Sequence, residues 1–338
     1  MDRFMKLSVV STLYKSEPHI AEFCDRVSAV ARRLVGDEFE IILVNDGSPD
    51  GSLDLAVARS TVDRHLTVID LSRNFGHHKA IMTGLAHAKG DRVFLIDSDL
   101  EEEPEWLLSF ADQMSEQKLD VVYGVQKARR GGTFERWTGA IFFSINDALS
   151  DFHLPRNLVI ARLMTRAYVT ALVSHQDHEF IIAHLFQLTG FRQDSQVVVK
   201  HALSPTTYSI SRRIQMAVRY LMTTSTKILY LILYFGLTIS ILSVLTMAFY
   251  LMRYVVNGIG VTGFTSIIIS IWFFGGMTML VLGLLSVYIA NILSETKRRP
   301  YTIIRDIHRG AAMGIEGQAD GNAVAEDRSS LGSERVRD

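Results

Sequence analysis

Cysteine is almost absent: Cys24 is the only one in 338 residues. That excludes an intramolecular disulfide framework and a cysteine-based zinc site. Net charge is nearly absent as well, at a formal -1, so no overall field argues for nucleic acid as a partner. A leader pattern is also missing, because Lys6 leads straight into the short apolar run Leu7–Val10 and then into polar residues. The early chain is therefore expected to start and stay in the cytoplasm. Charge is scarce in one long region too, since nearly all of it lies before Lys227 or after Glu295.

Within the charged first part, short apolar runs alternate with amphipathic ones. Strands are predicted at Leu7–Val10, Glu40–Val44, Leu66–Asp70, Val93–Ile96 and Asp120–Tyr123. Helices are predicted at His19–Val35, Leu53–Ser60, His78–Ala88 and Trp106–Gln117. This alternation predicts an open, mostly parallel α/β sheet, whose ligands bind beyond the carboxyl ends of the strands. The Val93–Ile96 run ends in Asp97-Ser98-Asp99. In extended backbone alternate residues share a face, so both carboxylates can point at one object. Two hard oxygen ligands there suit a divalent ion that keeps waters and shares a diphosphate, although a polar strand end entering a turn reads the same way.

Asn45-Asp46-Gly47-Ser48 lies on the same edge and is turn-forming, yet its carboxylate could accept hydrogen bonds from a base or ribose. Ser72–Lys79 precedes a helix, whose N-terminus with Arg73 and Lys79 could receive phosphate. The adjacent His77 and His78 invite a metal reading, but neighbouring side chains diverge.

Taken together, Ser72-Arg-Asn-Phe-Gly-His-His-Lys-Ala80, Gly84-Leu85-Ala86 with Gly90-Asp91, and Asp97-x-Asp99-Leu100 with Pro104-Glu105 resemble the family 2 glycosyltransferases. The match is to the branch similar to dolichol-phosphate mannose synthase and bacterial polyprenyl-phosphate glucosyltransferases, and it runs from about Leu7 to Ile304. The resemblance implies a GT-A fold, a nucleotide-sugar donor and a divalent cation, Mg2+ or Mn2+. It implies that Asp46 contacts the base, Asp97 the ribose or the metal, and Asp99 the metal, with Arg73 and Asn74 lining the donor site. The family's Pro-x-Tyr-Asn-Glu after the first strand is replaced here by Thr12-Leu13-Tyr14-Lys15-Ser16 and Glu17, which alters the first-loop contacts expected of Tyr14 and Glu17. Arg129, in the basic Lys127–Arg136 loop, could order over the diphosphate. Ala161-Arg162-Leu163-Met164-x-Arg166 resembles the family's Phe-Arg-Leu-x-x-Arg segment, placing Arg162 at the donor site. Glu179 is expected to face the sugar. Near the last strand an Arg pair of the family is reduced to Lys200, the one phosphate-clamping cation left.

After residue 205 the pattern changes. Ile210, Ile214, Val218 and Leu221 share a helical face interspersed with Arg212, Arg213 and Arg219, which predicts an interfacial helix over 206–227. Ile228–Met252 and Phe264–Leu293 carry no charged residue, and each exceeds the roughly 20 residues needed to cross a bilayer. Cations flank both outer ends, so the positive-inside rule places the catalytic domain, 1–205, in the cytoplasm at the inner membrane. Gly275, Gly276 and Gly283 could let helices pack closely within or between subunits, which leaves a homo-oligomer open. Residues 294–309 read as a basic cytoplasmic segment and 310–338 as a disordered tail.

A soluble sugar-transfer domain tied to lipid suggests an acceptor whose head reaches the donor while its tail stays in the bilayer. The expected reaction is inverting transfer from a nucleoside diphosphate sugar, UDP- or GDP-linked, to polyprenyl phosphate. A processive polysaccharide synthase would carry Gln-x-x-Arg-Trp after the donor motifs; Arg136-Trp137 lacks the Gln and comes too early. A non-catalytic membrane scaffold with a degenerate transferase domain is the other alternative, against which stand Asp97 and Asp99.

Overall fold

The computed structural model describes residues 6–126, 157–175, 177, 180–200, scattered positions between 232 and 256, 263–297 and 299–310. The first half alternates β1 (Leu7–Leu13), α1 (Ile20–Val35), β2 (Phe39–Asn45), α2 (Ser52–Val62), β3 (Leu66–Leu71), α3 (His77–His87), β4 (Arg92–Leu95), α4 (Trp106–Gln117) and β5 (Val121–Gln126). These are the elements predicted from apolar spacing, with ends differing by about three residues at most. There follow β6 (Leu158–Thr165), α5 (Arg166–Val173), α6 (Ile182–Leu188), β7 (Gln193–Val198), α7 (Phe264–Thr296) and β8 (Ile304–Arg309).

The eight strands among the described residues form one sheet in the order β7-β5-β6-β4-β1-β2-β3-β8. The central block β4-β1-β2-β3 is parallel throughout, as βαβ crossovers require. Antiparallel β6 sits between β4 and β5. Its run Leu-Val-Ile-Ala-Arg-Leu-Met-Thr has a charged residue in the middle of a buried stretch, which masked it as a strand in the sequence.

Side chains of β1 and β2 alternate between two cores, as a sheet covered on both faces demands. Leu7, Val9, Phe39, Ile41 and Leu43 join α1 and α4 residues such as Phe23 and Phe110 on one face. Val10, Ile42 and Val44 join Met82 and Leu85 of α3 and Tyr168 and Phe186 beyond it on the other. The sheet therefore presents its strand ends as its open rim.

Two expectations change. Residues 294–309 are not a separate basic segment, because β8 pairs antiparallel with β3 and completes the sheet edge. The catalytic domain consequently does not close at residue 205. Its last strand comes after the apolar region, and sequence periodicity could not reveal it because Ile-Arg-Asp-Ile-His-Arg reads as polar. α7 extends the predicted Phe264–Leu293 run to Thr296. Among the described residues it is the one helix long and apolar enough to cross a membrane, with a mean hydropathy of 2.0 over Phe273–Ala290 and none of that window buried within the protein. Of the earlier predicted run, the described residues between 232 and 252 are all helical. The predicted interfacial helix at 206–227 and the tail from 311 onward lie outside the described residues.

Candidate active site

The carboxyl ends of β1, β2 and β4 meet at one place on the rim. β4 stops at Leu95, so Asp97 lies beyond the strand and Ser98 and Asp99 lie in a turn. Strand alternation is thus not what gathers the two carboxylates, contrary to the reasoning from extended backbone. Ser98 does part of that work: its buried hydroxyl donates to the Thr12 carbonyl at 2.8 Å and lies 2.9 Å from the Ser16 hydroxyl. This ties the middle of the motif to the end of β1. Leu100 then adopts φ 58, and the Glu101 backbone N–H caps Asp99 Oδ1 at 3.0 Å.

Burial pushes the Asp97 carboxyl up to about 7, and Asp99 beside it adds to the rise while Lys200 opposes it. Some 19% of the Asp97 side chain still faces the cleft. Two crowded acids, one open to solvent, fit a divalent cation, whose charge would offset both the burial and the mutual repulsion. Among the described residues no three His, Cys, Asp or Glu side chains group to hold an ion by themselves. Such a site would be completed by diphosphate and water, in the manner usual for magnesium. His77 lies between β1 and the acids, its Nδ1 3.0 Å from Thr12 Oγ1 and its Nε2 3.5 Å from Asp97 Oδ1. Lys200 reaches the same cluster, with Nζ 3.2 Å from Glu101 Oε2 and 3.8 Å from Glu102 Oε1. Glu102 itself is buried, and its two oxygens accept the backbone N–H groups of Ile160 (3.0 Å) and Ala161 (2.9 Å) in β6. Burial, then Asp97, push its carboxyl up to about 8 against the pull of Lys200.

On the other side of the cleft two loops lean on each other. Asp46 is 3% exposed and accepts the backbone N–H groups of Phe75 at 2.7 Å and Gly76 at 3.0 Å. Its carboxylate therefore shapes the Ser72–Gly76 loop that presents Arg73 and Asn74. Gly47 has φ +59, and a Cβ there would sit 2.5 Å from the Asn74 backbone nitrogen and 2.7 Å from the Arg73 backbone carbon. Gly47→Ala should therefore lower stability by about 2 kcal/mol or more, from the left-handed backbone and the forced separation of the loops. Thermal melting of the purified variant checks this, and a melting point within error of the parent would contradict it.

Arg73 is exposed, with its guanidinium 4.0 Å from the Phe75 ring centroid. Lys79 lies in the first turn of α3. Tyr14 stands 49% exposed at the cleft mouth. Glu17 instead braces the first loop against the second, accepting the Gly51 backbone N–H at 2.9 Å. The two histidines do diverge: while His77 meets Asp97, His78 approaches the Phe180 backbone. Burial pushes the His78 imidazole down to about 4, with His77 adding to the drop and the Phe180 contact opposing it. An unfolded histidine titrates near 6.5, so below that pH the unfolded chain takes up a proton that the folded chain refuses. Stability should fall as pH drops from about 6.5 towards 4, and His78→Gln should flatten that slope. Melting curves across this range measure it, and equal slopes for both proteins would contradict the assignment.

Residues 8–173 match the family described as Glycosyl transferase family 2. A Mycobacterium tuberculosis (strain CDC 1551 / Oshkosh) protein whose name places it among the glycosyltransferases is 43% identical over 90% of this chain and 89% of its own length. The Bacillus subtilis (strain 168) uncharacterized glycosyltransferase YkcC is 30% identical over 90% and 95% respectively. The chain belongs to glycosyl transferase family 2. A bactoprenol glucosyl transferase of Shigella phage SfII is 29% identical to this glycosyltransferase, covering 90% of this chain and 99% of that one.

Not every residue predicted for the site of this glycosyltransferase reaches the cleft. Arg162 is 1% exposed, with its guanidinium 3.2 Å from the Phe186 ring centroid and its Nε donating to the Ile160 carbonyl at 3.2 Å. It lies inside the core beneath Glu102 and is not brought to the rim. The reason is β6: strand pairing with both β4 and β5 turns that side chain inward. Arg129 and Glu179 lie outside the described residues. Glu101 and Glu102 are the additions that motif reading did not supply, and His77, weighed there only for a metal, enters as the neighbour of Asp97. The signals available were Gly76 setting His77 at the start of a helix on the binding edge, and three consecutive glutamates following the acid pair.

Proposed function

We propose that this glycosyltransferase moves a sugar from a nucleoside diphosphate to polyprenyl phosphate at the cytoplasmic membrane, with one inversion. The observation that carries the reading is α7: a long apolar helix with no buried face, joined within a few residues to a strand of the catalytic sheet. A transfer site so tethered suits an acceptor whose tail is in lipid. The bactoprenol glucosyl transferase relative, matched over nearly its full length, supports the same acceptor class. The earlier apolar run Ile228–Met252 would be the first of two spans, returning the chain to its starting side.

A phosphate monoester is already anionic near neutral pH, so its oxygen needs little base assistance. That oxygen attacks the anomeric carbon from the face opposite the diphosphate. The new carbon–oxygen bond forms as the bond to the diphosphate breaks, and the nucleoside diphosphate leaves. A divalent ion on Asp97 and Asp99 would supply charge neutralisation for that leaving group. Lys200 is within reach of the same region to neutralise a phosphate. His77 holds Asp97 in place, and the loops anchored by Asp46 hold the nucleotide. UDP-glucose, UDP-linked amino sugars and GDP-mannose are the donors to screen. The test supplies each to membranes containing the protein and added polyprenyl phosphate. One donor should yield a lipid-extractable, acid-labile sugar product, and no product from any donor would contradict the proposal.

A further inference from the structure

We propose that Arg305, on the strand that follows the apolar helix, is a positioning residue for the nucleotide-sugar donor. This rests on the donor reading above. Arg305 bridges to the base of the donor-side loops: Nη2 donates to the Ser72 carbonyl at 2.7 Å, and Nη1 lies 3.3 Å from Asp70 Oδ2. Asp70 is buried at the end of β3, and its other oxygen accepts Asn45 Nδ2 at 2.8 Å. Asn45 Oδ1 in turn accepts the Ser48 backbone N–H at 3.2 Å. One guanidinium therefore braces both the loop that carries Asp46 and the loop that carries Arg73 and Asn74.

The surrounding segment is fastened to the same place. The Ser72 backbone N–H donates to the Ile303 carbonyl at 2.9 Å, and Thr302 Oγ1 lies 2.8 Å from Thr83 Oγ1. Arg305 is not a packing residue, since 60% of its side chain is exposed. Its planar fork suits two acceptors at once, a carbonyl and a carboxylate, in a way that a lysine cannot reproduce. Among the described residues, removing it leaves the Asp70 side chain with Asn45 alone and takes the guanidinium from the Ser72 carbonyl, so both loops lose their common tie. Misplacement of such loops by a fraction of an ångström weakens a bound diphosphate without touching the acceptor.

The experiment uses the full-length protein in detergent with Mn2+. UDP and GDP binding is measured by calorimetry, and KM is measured separately for donor and polyprenyl phosphate. Arg305→Ala should weaken nucleotide binding and raise the donor KM about ten-fold, with the acceptor KM unchanged. Arg305→Lys should recover part of the loss. Arg309→Ala, exposed at the far end of the same strand, should behave as the parent. If Arg305→Ala does not fold, Arg305→Lys carries the test, with an expected loss of about three-fold. Parent-like nucleotide binding in the Arg305 variant, or equal changes in both KM values, overturns the inference. Failure of the parent itself to bind either nucleotide overturns the donor reading, and the inference with it.

Discussion

Asp99→Ala should reduce sugar transfer to polyprenyl phosphate by about a thousand-fold while leaving membrane insertion and melting temperature unchanged. The magnitude follows from what the side chain is asked to do. Among the described residues Asp99 makes one hydrogen bond, the cap on the Glu101 N–H, so little stability depends on it. Its remaining oxygen valence faces Asp97 and the cleft, where a cation would stabilise the departing diphosphate. Loss of one transition-state charge contact in a cleft of this kind costs roughly two to three powers of ten. The assay is single-turnover transfer in detergent, paired with Mn2+ binding followed by electron paramagnetic resonance. Weakened ion binding with lost turnover supports the role; normal turnover would remove it.

Glu102→Ala should produce the largest change in stability, about 3 kcal/mol or more. The side chain is fully buried and makes no contact that solvent could replace. Its removal strands the N–H groups of Ile160 and Ala161 inside the sheet. It also removes the carboxyl beside the interior Arg162 and one partner of Lys200. Each orphaned donor costs about 1–3 kcal/mol. Denaturant unfolding in detergent measures this. Glu102→Gln, which keeps one acceptor, should lose less than the alanine variant. Equal losses would mean that the backbone contacts carry none of the effect.

The first half of the fold was legible because its rule is local. Apolar runs of strand length alternate with amphipathic helices, and nothing distant is needed to recognise them. The positions of Asp46, Asp97 and Asp99 on the rim were legible for the same reason, as polar residues at the ends of such runs, but Asp46, expected to contact the base, instead holds the Phe75 and Gly76 N–H groups. What escaped depended on partners far away in the chain. β6 hid because the charged residue in its centre is accommodated by groups on other elements, among them Tyr168, Glu102 and Phe186. β8 hid because it is polar and gains its place only by pairing with β3, across the whole apolar region. The convergence of Asp97 and Asp99 was expected for the wrong reason, since a turn pinned by Ser98 achieves what strand alternation does not. Arg162 shows the converse error: a motif match put it at the donor site, whereas strand pairing turned it into the core.

The most direct test of the central claim is transfer by chelated, purified protein reconstituted with polyprenyl phosphate. Supplied with the donor found in the screen, it should form no lipid-linked sugar until Mg2+ or Mn2+ is returned, and the Asp97→Ala and Asp99→Ala variants should stay inactive after the ion is added. Product formation at the full rate without an ion, or in either variant, would contradict the account.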